Sequence, residues 1–191
     1  MTVRELRWSD FDALVKIYYE VYEERIENPL VGILLFDEPP GRDAEVEWFS
    51  GLYARTLRGE TVVVVAEEDG RAVGSCTIDG VSPRGAGSDR SHVAVLGILV
   101  DRRFRGRGIG TALLVSALEK ARGRWERVRL SVLATNTRAR QLYERVGFRH
   151  TGRMEGEIKR GERYIDEELM TLDLRSWRPP PPARTVKAGE S

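Results

Sequence analysis

The sequence predicts a mixed α/β domain: one mixed sheet of seven strands with helices on both sides. Three observations lead there. Two glycine-centred turn signals, Asp69-Gly70 and Arg160-Gly161, each sit between strand-like runs. Apolar residues recur at helical spacing between β-branched runs, and a strand, a glycine turn and a helix follow one another at residues 98–111.

Taken in order, residues 2–8 read as a short strand. Ser9 with Asp12 then resembles a capping box before the pattern Phe11, Leu14, Val15, Ile17, Tyr18, Val21, Tyr22. A second helix fits residues 44–57. The connection at 28–42 carries Pro29, Pro39 and Pro40 around the apolar Val31, Ile33, Leu34, Leu35 and Phe36, and reads as an irregular, long ordered loop of a kind often used for function. Residues 61–66 and 71–78 pair across Asp69-Gly70, and 80–91 form a polar loop. Nearly continuous apolar sequence at 92–100 suits a central strand buried on both faces. Residues 108–122 have helical spacing, 128–133 form a strand, and a helix at 136–146 closes on Gly147. Segments 148–158 and 163–174 make a final antiparallel pair. The domain is thus expected over residues 1–174, and the tail 175–191, with prolines at 179–182, is expected to be extended or disordered.

A chain of 191 residues with 41% hydrophobic and 32% charged composition and net charge +1 fits one soluble domain. That balance suggests no general affinity for nucleic acid or membrane. Cys76 is the only cysteine, and His92 and His150 the only histidines, so no disulfide is expected and a metal site would be short of ligands. No signal peptide or long apolar stretch is evident, which makes the cytoplasm the expected location. Pairing with a second copy stays open.

The chemistry concentrates at the strand–turn–helix. Ile98-Leu99-Val100 ends a strand, and Arg105-Gly106-Arg107-Gly108-Ile109-Gly110-Thr111 opens a helix. Glycines there let successive N–H groups approach an anion, and the helix N-terminus adds partial positive charge. A phosphate or pyrophosphate is the natural ligand. A dinucleotide fingerprint starting at Gly106 would need Gly or Ala where Thr111 stands, and the Gly-Lys-Ser/Thr of a P-loop is absent. A second segment, Asn136-x-x-Ala139-x-x-Leu142-Tyr143-x-x-x-Gly147-Phe148, puts Asn136 and Tyr143 on one helix face, where both can address one ligand.

Arg105, Gly108 and Gly110 meet the pattern Arg/Gln-x-x-Gly-x-Gly/Ala, and with the Asn136–Tyr143 segment the chain resembles the GCN5-related N-acetyltransferase (GNAT) family. The resemblance implies a mostly antiparallel sheet and acetyl-CoA as co-substrate, with no metal. It implies that Arg105, Gly106, Arg107, Gly108, Ile109, Gly110 and Thr111 hold the pyrophosphate and that the pantetheine arm pairs with Ile98, Leu99 and Val100, between strands that diverge. It also implies that Asn136 contacts the CoA arm and that Tyr143 protonates the departing thiolate, with a strand N–H around Leu99 stabilising the oxyanion. The acceptor is a primary amine: a protein N-terminus or lysine, or a small amine such as an amino acid or polyamine. The C-terminal pattern around Gly156, Tyr164, Asp166 and Met170 looks like the branch containing ribosomal-protein and amino-acid or small-amine acetyltransferases.

One departure matters. Several members use a carboxylate on the central strand as base, and here Ala94-Val95-Leu96-Gly97 has none. His92, Asp79, Glu157 and Asp166 are the remaining candidates. Arg102, Arg103, Arg107, Arg138 and Arg140 surround the turn as candidate phosphate partners. The acidic run Glu23, Glu24, Glu27, Asp37, Glu38, Asp43, Glu45 and Glu47 reads either as a solvated face or as an attraction for a cationic substrate. Cys76 reads as core. An acyltransferase using another acyl-CoA, or a non-catalytic CoA-binding sensor, are the alternatives.

Overall fold

The computed structural model describes residues 1–28, 38–81 and 88–181. Expectations for residues 29–37, 82–87 and the last ten residues lie outside them. The described elements are β1 (Thr2–Glu5), α1 (Phe11–Glu27), α2 (Arg42–Leu57), β2 (Thr61–Glu68), β3 (Arg71–Gly80), β4 (Val93–Val100), α3 (Ile109–Ala121), β5 (Arg127–Leu133), α4 (Thr137–Val146), β6 (Arg149–Arg160) and β7 (Arg163–Asp173). Their order matches the sequence reading. The sheet runs β1-β2-β3-β4-β5-β7-β6, and every neighbouring pair is antiparallel except β4 with β5.

Local chemistry explains the turns. Asp69 and Gly70 both have positive φ, 51° and 75°, the geometry that a two-residue hairpin demands. The start of α1 differs from expectation. Instead of Ser9 and Asp12, Asp10 carries the junction: its carboxylate accepts the Arg7 N–H at 2.8 Å and both terminal nitrogens of Arg4 at 2.8 Å. A buried carboxylate held by a charged fork is a stronger fastener than a serine hydroxyl.

Two cores sandwich the sheet. One face packs α3 and α4 through Leu113, Leu114, Leu118 and Val146 onto Val128 and Met170. The other packs α1 and α2 through Ile17, Phe49 and Leu52 onto Val63 and Val65. β4 corrects the expectation of burial on both faces. Ala94 and Leu96 are buried toward α3, whereas Val95 and Gly97 are exposed on the opposite face. An apolar run reports residue type, and cover on the second face depends on elements distant in sequence.

Ordered packing also passes the expected boundary at Leu174. Trp177 is buried; its indole N–H donates to the Val146 carbonyl at 2.8 Å, and the Arg122 guanidinium lies 5.0 Å over the ring and donates to the Trp177 carbonyl at 2.6 Å. The indole thereby satisfies a carbonyl in the last turn of α4. Trp177→Ala is expected to cost about 3 kcal/mol, the usual loss for a buried large aromatic. Urea unfolding measures it.

Candidate active site

β4 and β5 pair over only three residues, Val93 with Arg127, Ala94 with Val128 and Val95 with Arg129. Above Val95, β4 keeps β3 as partner and β5 keeps β7, so the sheet splits into a gap. Antiparallel pairing decides which backbone groups face it. Val81 N–H donates to Val93 O and Asp101 N–H to Val73 O, so odd-numbered residues of β4 bond to β3. Leu99, expected to supply an N–H, therefore turns its backbone toward Ser75. The backbone groups of Leu96, Ile98 and Val100 face β5; the Leu96 N–H still meets Arg129, so the donors left to the gap are the Ile98 and Val100 N–H groups.

The turn at the top of β4 opens with Asp101, whose carboxylate accepts the Arg103 N–H at 2.9 Å and caps a short 3-10 turn, Arg102–Phe104. Burial would raise the Asp101 pKa, but the Arg103 guanidinium and N–H outweigh it and hold the carboxyl below its usual range. Gly106 and Gly108 take φ of 85° and 83°, which a side chain would strain. No side chain among the described residues caps α3. Among the described residues, none of the N–H groups from Gly106 to Thr111 has an acceptor. The turn thus presents consecutive free donors at a helix N-terminus, at the mouth of the gap.

The regular spacing of residue types in the turn hides different tasks. Gly110 permits close packing of α3 on α4, since a Cβ there would come within 2.9 Å of Leu142. Arg105 is engaged by protein groups: it donates to both Glu24 carboxylate oxygens at 2.5 and 2.8 Å and to the Val100 carbonyl at 2.9 Å. Arg103 reaches Glu20 and Arg102 reaches Glu27, each at 3.5 Å. Glu24 and Glu27 of the acidic run, together with Glu20, thus clamp the turn, a task distinct from a solvated face or an attraction for a cationic substrate. Arg138 stands beside Gly106, 3.2 Å from where a Cβ would lie, and Arg107 lies over Phe104 at 5.1 Å and 3.7 Å from Glu68.

Asn136 caps α4, its Oδ1 accepting the Ala139 N–H at 3.2 Å. Tyr143 is 8% exposed, packs edge-on against Phe148 at 5.9 Å, and its hydroxyl makes no hydrogen bond among the described residues. Burial, with the nearby Cys76, pushes the phenol well above its ordinary range, so it stays protonated. Cys76 is fully buried, and burial pushes its thiol up as well; a neutral thiol is a poor nucleophile.

The proposed bases sit elsewhere. His92 precedes β4, roughly 26 Å of strand from the turn at 3.3 Å per residue. Asp79 accepts from Arg55 at 3.1 Å and from the Thr61 hydroxyl at 2.6 Å. Asp166 accepts the Gly156 N–H at 2.7 Å and bonds Arg153, and these hold its carboxyl below the usual range. Glu157 is exposed on β6, the edge strand. Two charged residues that the sequence reading passed over, Arg129 and Glu167, project from the face of β5 and β7 opposite α3 and α4. Strand alternation around Val128 and Met170 was the signal available.

A split mixed sheet with a free-donor turn at its mouth defines the class of protein, and comparison agrees. The chain belongs to the acetyltransferase (GNAT) family, whose model matches residues 6–148. Within that class it is an N-acetyltransferase. It is 37% identical over 174 residues to the L-amino acid N-acetyltransferase AaaT of Escherichia coli, covering 89% of this chain and 96% of that one. It is 26% identical over 175 residues to the putative phosphinothricin acetyltransferase YwnH of Bacillus subtilis, covering 91% and 99%. Among solved structures, yncA of Salmonella typhimurium, a putative acetyltransferase with its cofactor acetyl-CoA, matches with TM-score 0.75 at 21% identity over 95% of this chain and 98% of that one.

Glu45, in the first turn of α2, is 4% exposed, with one carboxylate oxygen lacking a partner among the described residues, and burial raises its pKa above 4.5. The folded state holds that proton more tightly than the unfolded chain, so the penalty exists above the folded pKa and fades as pH falls toward 4.5. Glu45→Gln is expected to gain about 1 kcal/mol at neutral pH, with the gain shrinking in acid. Thermal melts across pH check both.

Proposed function

We propose that the protein transfers the acetyl group of acetyl-CoA to the amine of an amino acid or a comparably small amine, by direct attack. The observation that carries this reading is the run of unpartnered N–H groups from Gly106 to Thr111 at the mouth of the β4–β5 gap. Acetyl-CoA in the yncA structure and the amino acid acceptor in the name of the Escherichia coli relative support it.

The residues fit such a co-substrate. The turn N–H groups, with Arg107 and Arg138 beside them, receive the pyrophosphate, while Arg105 holds the turn against α1 rather than meeting phosphate itself. The free edge of β4 pairs with the amides of the pantetheine arm. Acetyl-CoA supplies an activated thioester. The Ile98 N–H, which faces the gap, donates to the acetyl oxygen as it gains negative charge. Tyr143, protonated and with its hydroxyl uncommitted, donates to the sulfur as the C–S bond breaks; the amine sheds its protons to solvent water, which also returns one to the phenol. Asn136 fixes the start of the helix that carries Tyr143. Cys76 takes no acyl group.

Gly108→Glu places a carboxylate among the phosphate donors and strains a positive φ; calorimetry is expected to show acetyl-CoA binding weakened at least about a hundredfold. Tyr143→Phe is expected to lower kcat about 10- to 100-fold with acetyl-CoA affinity unchanged, read from CoA release. An unaltered rate removes Tyr143 from proton transfer.

A further inference from the structure

Resting on that reading, we propose that Arg129 and Glu167 recognise the two charges of a zwitterionic acceptor, Arg129 its carboxylate and Glu167 its ammonium. The acceptor class is then an α-amino acid rather than a simple amine or a polyamine.

Placement carries the argument. Val128, Leu130, Val132, Met170 and Leu172 fill the core beneath α3 and α4. Alternation sends Arg129, Ser131 and Glu167 to the opposite face, where Val95 and Gly97 are exposed beside the gap. Arg129 is the last residue of β5 to pair with β4, opposite Val95, so it marks the foot of the gap. It is exposed, and its side chain makes no ion pair or hydrogen bond among the described residues. Its guanidinium is therefore available to a carboxylate in the bidentate geometry the two groups favour.

Glu167 stands opposite Leu133, the top of β5. It is 4% exposed, and its carboxylate finds no hydrogen-bond donor among the described residues. An ammonium meeting that carboxylate would make a charge-assisted hydrogen bond. Counting up from the Val95–Arg129 pair, Leu133 is level with Leu99, and the gap-facing Ile98 N–H lies one residue lower. Glu167 thus lies one residue above the group assigned to the acetyl oxygen, one strand beyond β5. Arg129 lies roughly 10 Å below Ile98 at 3.3 Å per residue. An extended arginine side chain, plus the two bonds between an α-amine and its carboxylate, covers that distance. The ammonium end is thereby placed near the thioester and the carboxylate end toward the foot of the gap.

The test compares three acceptors, an amino acid, its amide and its decarboxylated amine, by CoA release with wild type, Arg129→Gln, Arg129→Lys and Glu167→Gln. Wild type is expected to prefer the amino acid. Arg129→Gln should raise its KM about tenfold or more, leaving the amide's KM and acetyl-CoA affinity unchanged, and Arg129→Lys should restore part of the preference. Glu167→Gln should raise KM for all three acceptors. An undiminished preference for the amino acid in Arg129→Gln overturns the assignment. Wild-type turnover of amines with no preference for a carboxylate overturns it too while leaving acetyl transfer standing. No turnover of any small amine overturns the functional reading and the pair together.

Discussion

The constraint on which the rest of the structure depends is the loss of pairing between β4 and β5 after Val95 and Arg129. A continuous ladder would use every backbone group on both strands. Stopping the ladder leaves the Leu96 carbonyl, both backbone groups of Ile98 and the Val100 N–H aimed at a slot. Unmade backbone bonds in a sheet centre are costly unless water or a ligand takes them. The slot is thus both an opening and a chemical demand, and the same interruption uncovers the face of β4 that carries Val95 and Gly97.

A split sheet needs reinforcement near its free end, and α1 supplies it. Glu20, Glu24 and Glu27 recur on one side of that helix and meet Arg103, Arg105 and Arg102. The Arg105–Glu24 pair is bidentate and only partly exposed, so it is worth more than the surface pairs beside it. Arg105 also binds the Val100 carbonyl, which ties strand, turn and helix at one point. With the turn held from behind, Gly106 to Thr111 keep their N–H groups outward at no further cost in conformational freedom. Tyr143 is prepared in a similar way: burial keeps its proton on, and its packing against Phe148 fixes the ring.

Local signals were legible in the sequence, and distant partners were not. Asp69-Gly70, Gly147 and the glycine turn report their backbone geometry directly, because few residues accept positive φ. The helix that bears Asn136 and Tyr143 was readable from its cap and its period. The backbone direction of Leu99 was hidden, since it depends on the register with β3. Arg105 looked like a phosphate ligand because its partner Glu24 lies 81 residues away. Trp177 sat before a proline run that suggested a loose tail, and only the fold brings the Val146 carbonyl within its reach. Arg129 and Glu167 were ordinary strand charges until alternation and the gap gave them a common side.

The central claim, that acetyl-CoA enters the slot and uses the free edge of β4, is tested most directly by amide hydrogen exchange on the folded protein, resolved residue by residue. Saturating acetyl-CoA should strongly protect the Ile98 and Val100 amides and leave Leu99, already bonded to Ser75, nearly unchanged. Unchanged exchange at Ile98 and Val100, with protection appearing at another surface, would contradict the account.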